Sequence, residues 1–170
     1  MHKHLRRLER VWIEPAIYFV TTCTKDRKEI LATHETAAAL IDEWHSARER
    51  HGWVIGRYVI MPDHVHFFCV LELEAKTLSD FVGAWKRWTS RRIHALRGRH
   101  STSVAGLPRS ATAATTGTAL WQREFFDHVL RSKESYNDKW NYVRDNPVRA
   151  GLAVVANDWP YAGELERLEL

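Results

Sequence analysis

Residues 58–71 read YVIMPDHVHFFCVL, two apolar runs separated by the Met-Pro-Asp break at 61–63. Both runs are rich in β-branched and aromatic residues, so we predict two strands joined as a β-hairpin. Side chains alternate between the two faces of a strand, which places His64 and His66 on one face of the second strand. Two imidazoles at such positions can hold one metal ion; alternatively, each is satisfied by a backbone carbonyl or by water.

The patterns on either side of this hairpin predict an alternating fold. The predicted elements are a strand over 16–24, a helix over 34–50, the hairpin strands over 53–61 and 64–71, a helix over 77–96, a strand over 120–131 and a helix over 132–145. We therefore predict an α+β fold, a ferredoxin-like βαββαβ antiparallel sheet with an appended C-terminal helix that carries Tyr142. Both faces of the hairpin carry bulky apolar residues, so we expect cover on both sides of the sheet. The 170 residues fit one domain over 1–170.

Composition and charge limit the class of partner. The formal net charge of +4 favours a polyanionic partner without identifying one. The basic segment 1–14 is predicted to be an arm, and 98–119, rich in Ser, Thr, Ala and Gly, a flexible loop. No apolar run approaches the roughly 20 residues of a membrane span and no signal-peptide pattern follows the basic start, so we expect a cytoplasmic protein. Cys23 and Cys69 lie inside apolar runs and are predicted to be buried free thiols.

The helix predicted over 77–96 has an apolar stripe and a basic side. The stripe consists of Leu78, Phe81, Val82, Trp85, Thr89 and Ile93. Lys86, Arg87 and Arg91 lie off this stripe. They form either a solvated outer face or a surface that contacts phosphate groups.

Tyr142 lies off the apolar stripe of the predicted C-terminal helix. At about 100° per residue, Tyr136, Trp140 and Val143 cluster within about 60° of arc and form that stripe. Tyr142 lies about 120° away from it, and Asn146, one turn further, projects from nearly the same side. Tyrosine can act as a covalent nucleophile, and a divalent metal can activate a phosphoryl target for it. The alternative is an exposed tyrosine with no part in chemistry.

Three motifs together resemble those of a known family. Residues 61–66, MPDHVH, with their apolar flanks, resemble the pair of histidines around a hydrophobic residue that defines the HUH endonucleases. Residues 121–128, WQREFFDH, and 142–152, YVRDNPVRAGL, resemble the C-terminal motifs of the single-tyrosine transposases. The resemblance is to the branch of REP-associated tyrosine transposases and covers about residues 15–161.

The resemblance implies a metal-dependent enzyme that nicks and joins single-stranded DNA beside hairpins formed by palindromic repeats. It implies that His64 and His66 bind Mg²⁺ or Mn²⁺, which would orient the scissile phosphate. It also implies that Tyr142 attacks a phosphodiester and gives a 5′-phosphotyrosine link and a free 3′-OH. Related enzymes act as dimers or as monomers, so a homodimer is possible.

The resemblance further implies a third metal ligand and contacts to DNA. The third ligand of the family lies one helical turn after the tyrosine, where this chain has Asn146, a shorter residue than the usual Gln. Asp63 and His128 are alternative third ligands. A hard ion prefers oxygen donors, so an all-histidine site would suit it poorly. The DNA contacts expected from charge are Arg6, Arg7, Lys86, Arg87, Arg91 and Arg149.

Three other functional classes are alternatives to this one. A histidine-triad phosphohydrolase carries a third histidine on the same strand, but this chain has Phe68 in that place. A catalytically inactive protein that only binds DNA hairpins would not require the histidines and Tyr142 together. A domesticated nicking and joining enzyme without transposition would have the same residues as a transposase, so the sequence does not separate the two.

Overall fold

The computed structural model describes residues 16–101 and 119–169. In this part of the chain, five strands form an antiparallel sheet in the order β4-β1-β3-β2-β5. The strands are β1 (Ile17–Cys23), β2 (Trp53–Ile60), β3 (His64–Leu71), β4 (Phe126–Leu130) and β5 (Ala162–Glu164). The helices are α1 (His34–His45), α2 (Ala47–His51), α3 (Leu78–Ser101), α4 (Lys133–Arg144) and α5 (Asn146–Arg149). The fold is therefore a mixed α/β fold with an antiparallel sheet, as predicted.

The hairpin forms where the sequence predicts it. β2 pairs with β3 from Trp53 opposite Leu71 to Ile60 opposite Val65, with an irregularity in the register between Ile55 and Tyr58. β3 also pairs with β1, so β3 lies between two neighbours at the centre of the sheet. Both cysteines of the strands are buried and free, which confirms that prediction. Among the described helices, none has the length and apolar character that a membrane crossing requires.

The helices differ from the predicted bounds at two main places. The helix predicted over 34–50 is divided at Ser46, whose hydroxyl donates to the carbonyl of Asp42 and competes with the regular helical pattern. α2 then ends at Gly52, which has a φ of 73° and supplies the expected left-handed cap. α3 continues to Ser101, so the start of the predicted loop is helical, and 102–118 lie outside the described residues together with the predicted arm over 1–14.

Helices α1 and α3 cover one face of the sheet, and α4 covers the other. On the first face, the indole rings of Trp44 and Trp85 stack with 5.2 Å between their centroids. On the second face, Phe68 of β3 packs against Tyr136 and Trp140 of α4. The predicted cover on both sides of the sheet is confirmed. Because side chains alternate along β3, the residues at 64, 66 and 68 all face α4.

Lys86 of α3 lies inside the structure and not on the predicted basic outer face. Its side chain is 9% exposed, and its ammonium donates to the carbonyls of Gln122, Arg123 and Glu124 at 3.0, 3.3 and 2.9 Å. Burial lowers the pKa of Lys86 to about 8, although the nearby Glu124 carboxylate opposes this shift. Because these carbonyls are turned towards α3, β4 begins only at Phe126 and not at 120 as predicted.

We expect Lys86→Met to lower the free energy of unfolding by about 2 kcal/mol, because three carbonyl oxygens lose a charged donor. Arg87→Met is the matched control, since it removes the exposed cation next to Lys86 on the same helix. This control should change the stability by less than about 0.5 kcal/mol. Urea denaturation at neutral pH measures both values, and equal effects of the two substitutions would contradict the assignment.

Candidate active site

His64 and His66 lie next to each other on the α4 side of the sheet. Their ring centroids are 4.8 Å apart, and the two rings are nearly perpendicular. The register of β1 against β3 sets Thr21 opposite His66 and Cys23 opposite His64. The ring of Phe19 stacks on His66 with 5.4 Å between centroids. The pairing of the two strands therefore surrounds the histidines with side chains from β1.

Each histidine has a hydrogen-bond partner at Nδ1. Asp63 Oδ1 lies 2.6 Å from Nδ1 of His64, and Thr21 Oγ1 lies 2.7 Å from Nδ1 of His66. A carboxylate accepts a hydrogen bond, so Asp63 favours the form of His64 that carries its proton on Nδ1. Such partners commonly orient metal-binding histidines and leave Nε2 as the ligand atom. Both Nε2 atoms are consequently candidate metal ligands.

His66 is electrically neutral at physiological pH. Burial lowers its pKa to about 3, and the positive charges of His64, Lys139, Arg27 and Arg149 act in the same direction. A metal ligand must be the neutral imidazole, so this environment suits ligation. Apart from His64 of β3, the charges come from the turn after β1, from α4 and from α5. They make the surroundings of the histidines attractive to an anion such as a phosphate group.

Tyr142 lies in the last turn of α4 and is 63% exposed. The guanidinium of Arg149 lies 4.2 Å from the centre of its ring and donates a hydrogen bond to its backbone carbonyl at 2.8 Å. Arg149 also donates to the side-chain oxygen of Asn146. Arg149 therefore contacts both Tyr142 and Asn146, two other predicted site residues.

The two histidines by themselves would form only part of a metal site. Over 16–101 and 119–169, no three His, Cys, Asp or Glu side chains are arranged to hold a metal ion. Of the alternative third ligands, Asp63 already contacts His64 and forms an ion pair with Arg27 at 2.7 Å. His128 lies exposed on β4, opposite Phe19. The amide oxygen of Asn146 is a hard donor of the kind that Mg²⁺ and Mn²⁺ accept.

The predicted DNA contacts fall into two separate regions. Arg87 and Arg91 are exposed on α3, and Arg91 stacks over the half-exposed ring of Trp88 at 5.2 Å. Arg149 lies beside Tyr142 near the opposite face of the sheet. Lys86 belongs to neither region, because it is buried and its ammonium is bound to carbonyls. Arg6 and Arg7 lie outside the described residues.

The structure adds three residues that the sequence analysis did not select. Lys139 lies one turn before Tyr142 on α4, and its ammonium is 5.2 Å from the centre of the Phe19 ring. The i, i+3 spacing in the sequence already indicated that Lys139 and Tyr142 are neighbours on the helix surface. Thr21 faces His66 only because of the strand register. Arg27 reaches Asp63 from an irregular turn, for which the sequence pattern gave no signal.

Comparisons with known proteins are consistent with this geometry. A family model described as "Transposase IS200 like" matches residues 14–146. The chain is 24% identical over 153 residues to the REP-associated tyrosine transposase of Escherichia coli (strain K12). The alignment covers 90% of this chain and 79% of that protein. Its fold is similar to the solved structure of a REP-associated tyrosine transposase bound to a REP hairpin. The TM-score is 0.59 and the identity 20%, over 93% of this chain and 82% of that one.

The lowered pKa of His66 predicts a specific pH dependence of stability in metal-free protein. The unfolded chain takes up a proton on His66 as the pH falls below about 6.5, whereas the folded chain does so only near pH 3. The contribution of His66 to the free energy of unfolding is therefore complete above about pH 6.5. It is lost as the pH falls towards about 3, at up to about 1.4 kcal/mol per pH unit. His66→Gln should show a shallower loss in urea denaturation between pH 6.5 and 4.5. Parallel curves would count against a neutral buried His66.

Proposed function

The chain belongs to the family of IS200-like transposases, and we propose that it cuts and rejoins single-stranded DNA beside hairpins through a 5′-phosphotyrosine intermediate. The family membership and the named relative make it a tyrosine transposase-like enzyme that processes DNA. The metal, the nucleophile and the site of cutting are the proposed part. For the sheet, the order β4-β1-β3-β2 supports the ferredoxin-like topology, with β5 as an added edge strand.

One observation carries the proposal: the cation that contacts Tyr142 and Asn146 also acts electrostatically on His66. The guanidinium of Arg149 contacts Tyr142 and Asn146, and its charge is among those that lower the pKa of His66. The end of α4 and the histidine pair therefore belong to one electrostatic environment. A nucleophile, a pair of imidazoles and several cations are the parts that a phosphoryl transfer requires.

In the proposed reaction, the phenolic oxygen of Tyr142 attacks a DNA phosphorus atom. The bond from phosphorus to the 3′ oxygen breaks, the phenolic proton is given up, and the leaving oxygen takes up a proton to become a free 3′-OH. Attack of a 3′-OH on the phosphotyrosine reverses these bond changes and rejoins the strand. Lys139 and Arg149 would offset the charge on the phosphate during both steps.

The residues present suit a divalent ion. Nε2 of His64 and Nε2 of His66 would hold it, with the amide oxygen of Asn146 as the proposed third protein ligand. When bound, Mg²⁺ or Mn²⁺ would polarise a phosphoryl oxygen and lower the barrier to attack. The family's use of a divalent metal and the neutral state of His66 support this assignment.

For the DNA partner, we propose a single strand with a palindromic hairpin. The similar solved structure is bound to a REP hairpin, which supports this class of partner. Arg87 and Arg91 on α3 are proposed to contact the phosphate backbone, with Arg6 and Arg7 of the N-terminal segment. Lys86 is left out because its ammonium is occupied. A homodimer and a cytoplasmic location stay predictions.

Tyr142→Phe should abolish the covalent protein–DNA band that wild type forms with a labelled single-stranded hairpin and Mn²⁺ on denaturing gels. The reason is that phenylalanine lacks the attacking oxygen. Tyr161→Phe is the matched control, because Tyr161 lies outside α4 and packs its ring on Trp159. Normal cleavage by Tyr142→Phe would exclude it as the nucleophile. Binding of the hairpin with no cleavage by wild type would favour the alternative of an inactive hairpin-binding protein.

Lys139→Ala should slow single-turnover cleavage by about 10-fold to 100-fold, the effect of losing one charged contact to the phosphate. Lys133→Ala removes the same charge at the start of the same helix and should leave the rate within about twofold. Rapid-quench gels at saturating hairpin measure both rates. If the two substitutions act equally, the effect of Lys139 comes from net charge and not from its place beside the histidines.

A further inference from the structure

The turn between β1 and α1 has an unusual backbone. Asp26 and Arg27 are successive non-glycine residues with φ values of 59° and 52°, in the left-handed region. L-amino acids with a side chain adopt this conformation at an energetic cost, and it persists where surrounding contacts hold it. We therefore expect contacts of Arg27 to hold this turn.

The guanidinium of Arg27 is fixed at two points. Its Nε lies 2.7 Å from Oδ2 of Asp63, and its Nη1 donates to Sγ of Cys23 at 2.8 Å. The other oxygen of the same carboxylate, Oδ1, lies 2.6 Å from Nδ1 of His64. Asp63 thus bridges the guanidinium and the imidazole, with one oxygen for each.

The backbone of the same segment holds the connection between β2 and β3. The amide and the hydroxyl of Thr24 both donate to the carbonyl of Asp63, at 2.8 and 3.0 Å. The amides of Ile30 and Leu31 both donate to the carbonyl of Pro62, at 2.8 and 2.9 Å. The main chain at 62–63 is consequently fixed from outside the hairpin, and Arg27 adds the constraint on the Asp63 side chain.

His66 is oriented independently of this turn. Its Nδ1 partner is the Thr21 hydroxyl, which comes from the regular part of β1. A change at Arg27 should therefore act on His64 and leave the hydrogen bond of His66 in place. His66 therefore serves as an internal control for a substitution at Arg27.

We propose that Arg27 is a positioning residue: it holds the Asp63 carboxylate so that His64 keeps its proton on Nδ1 and directs Nε2 to a divalent cation. The inference rests on the proposed function, in which His64 is a metal ligand. Arginine is suited to this place because its planar guanidinium fixes a carboxylate from one nitrogen while another nitrogen is anchored elsewhere. Lysine offers a single charged atom and does not reproduce both contacts.

The first test measures Mn²⁺ affinity in DNA-free protein by electron paramagnetic resonance. Arg27→Ala should weaken binding by about 10-fold, the effect typical of losing a residue that orients a metal ligand, and Arg27→Lys should recover only part of it. Lys28→Ala is the matched control, because it removes an exposed charge from the same turn. Removal of a nearby cation by itself favours Mn²⁺ binding, so charge loss and loss of positioning act in opposite directions.

The second test observes the tautomers directly by ¹⁵N imidazole NMR at pH 8 without metal. Wild type should show His64 with its proton on Nδ1. Arg27→Ala should give a mixture of the two tautomers for His64, while His66 keeps its single tautomer. Equal disturbance of both histidines would mean that Arg27 only supports the fold, and would overturn the positioning role.

His64→Ala separates failure of this inference from failure of the proposed function. If His64→Ala binds Mn²⁺ as wild type does, or if wild type does not bind Mn²⁺, the proposed metal site is wrong and the inference fails with it. If His64→Ala weakens binding while Arg27→Ala binds as tightly as wild type or more tightly, the metal site stands and the role of Arg27 is overturned.

Discussion

The antiparallel register between β1 and β3 is the constraint on which the candidate site depends. It sets Thr21 opposite His66 and Cys23 opposite His64 at the centre of the sheet. Side chains alternate along a strand, so a slip of one residue would turn both histidines to the face covered by α1 and α3. The apolar residues on both faces of β3 resist such a slip, because each face has its own packed helices.

This arrangement places the larger apolar core and the candidate site on opposite sides of the sheet. The side under α1 and α3 holds the larger apolar core, including the stacked Trp44 and Trp85. The α4 side has a smaller core around Phe68, and beyond it the histidines and the cations meet. The larger apolar core thus lies on one side of the sheet, and the charged groups of the candidate site lie on the other.

The sequence predicted the elements whose signals are local. β-branched runs around a Met-Pro-Asp break located β2 and β3, and helical periodicity separated Tyr142 from the apolar stripe that packs on Phe68. It did not predict features created by distant contacts. Lys86 looked solvent-exposed on a helical wheel because the wheel does not include the carbonyls of 122–124 that approach it. Arg27 was missed because non-glycine residues with positive φ have no compositional signature.

The hydrogen bond from Arg149 to the carbonyl of Tyr142 bears on the lifetime of the proposed covalent intermediate. The carbonyls of the last turn of α4 lie at the negative end of the helix dipole, which disfavours a negative charge placed there. A phosphate attached to Tyr142 would lie at this negative end, and Arg149 would offset only part of the repulsion. The linked state would therefore be kept high in energy relative to the rejoined strand. In the proposed reaction, such an imbalance would favour resealing and limit the time for which a broken strand persists.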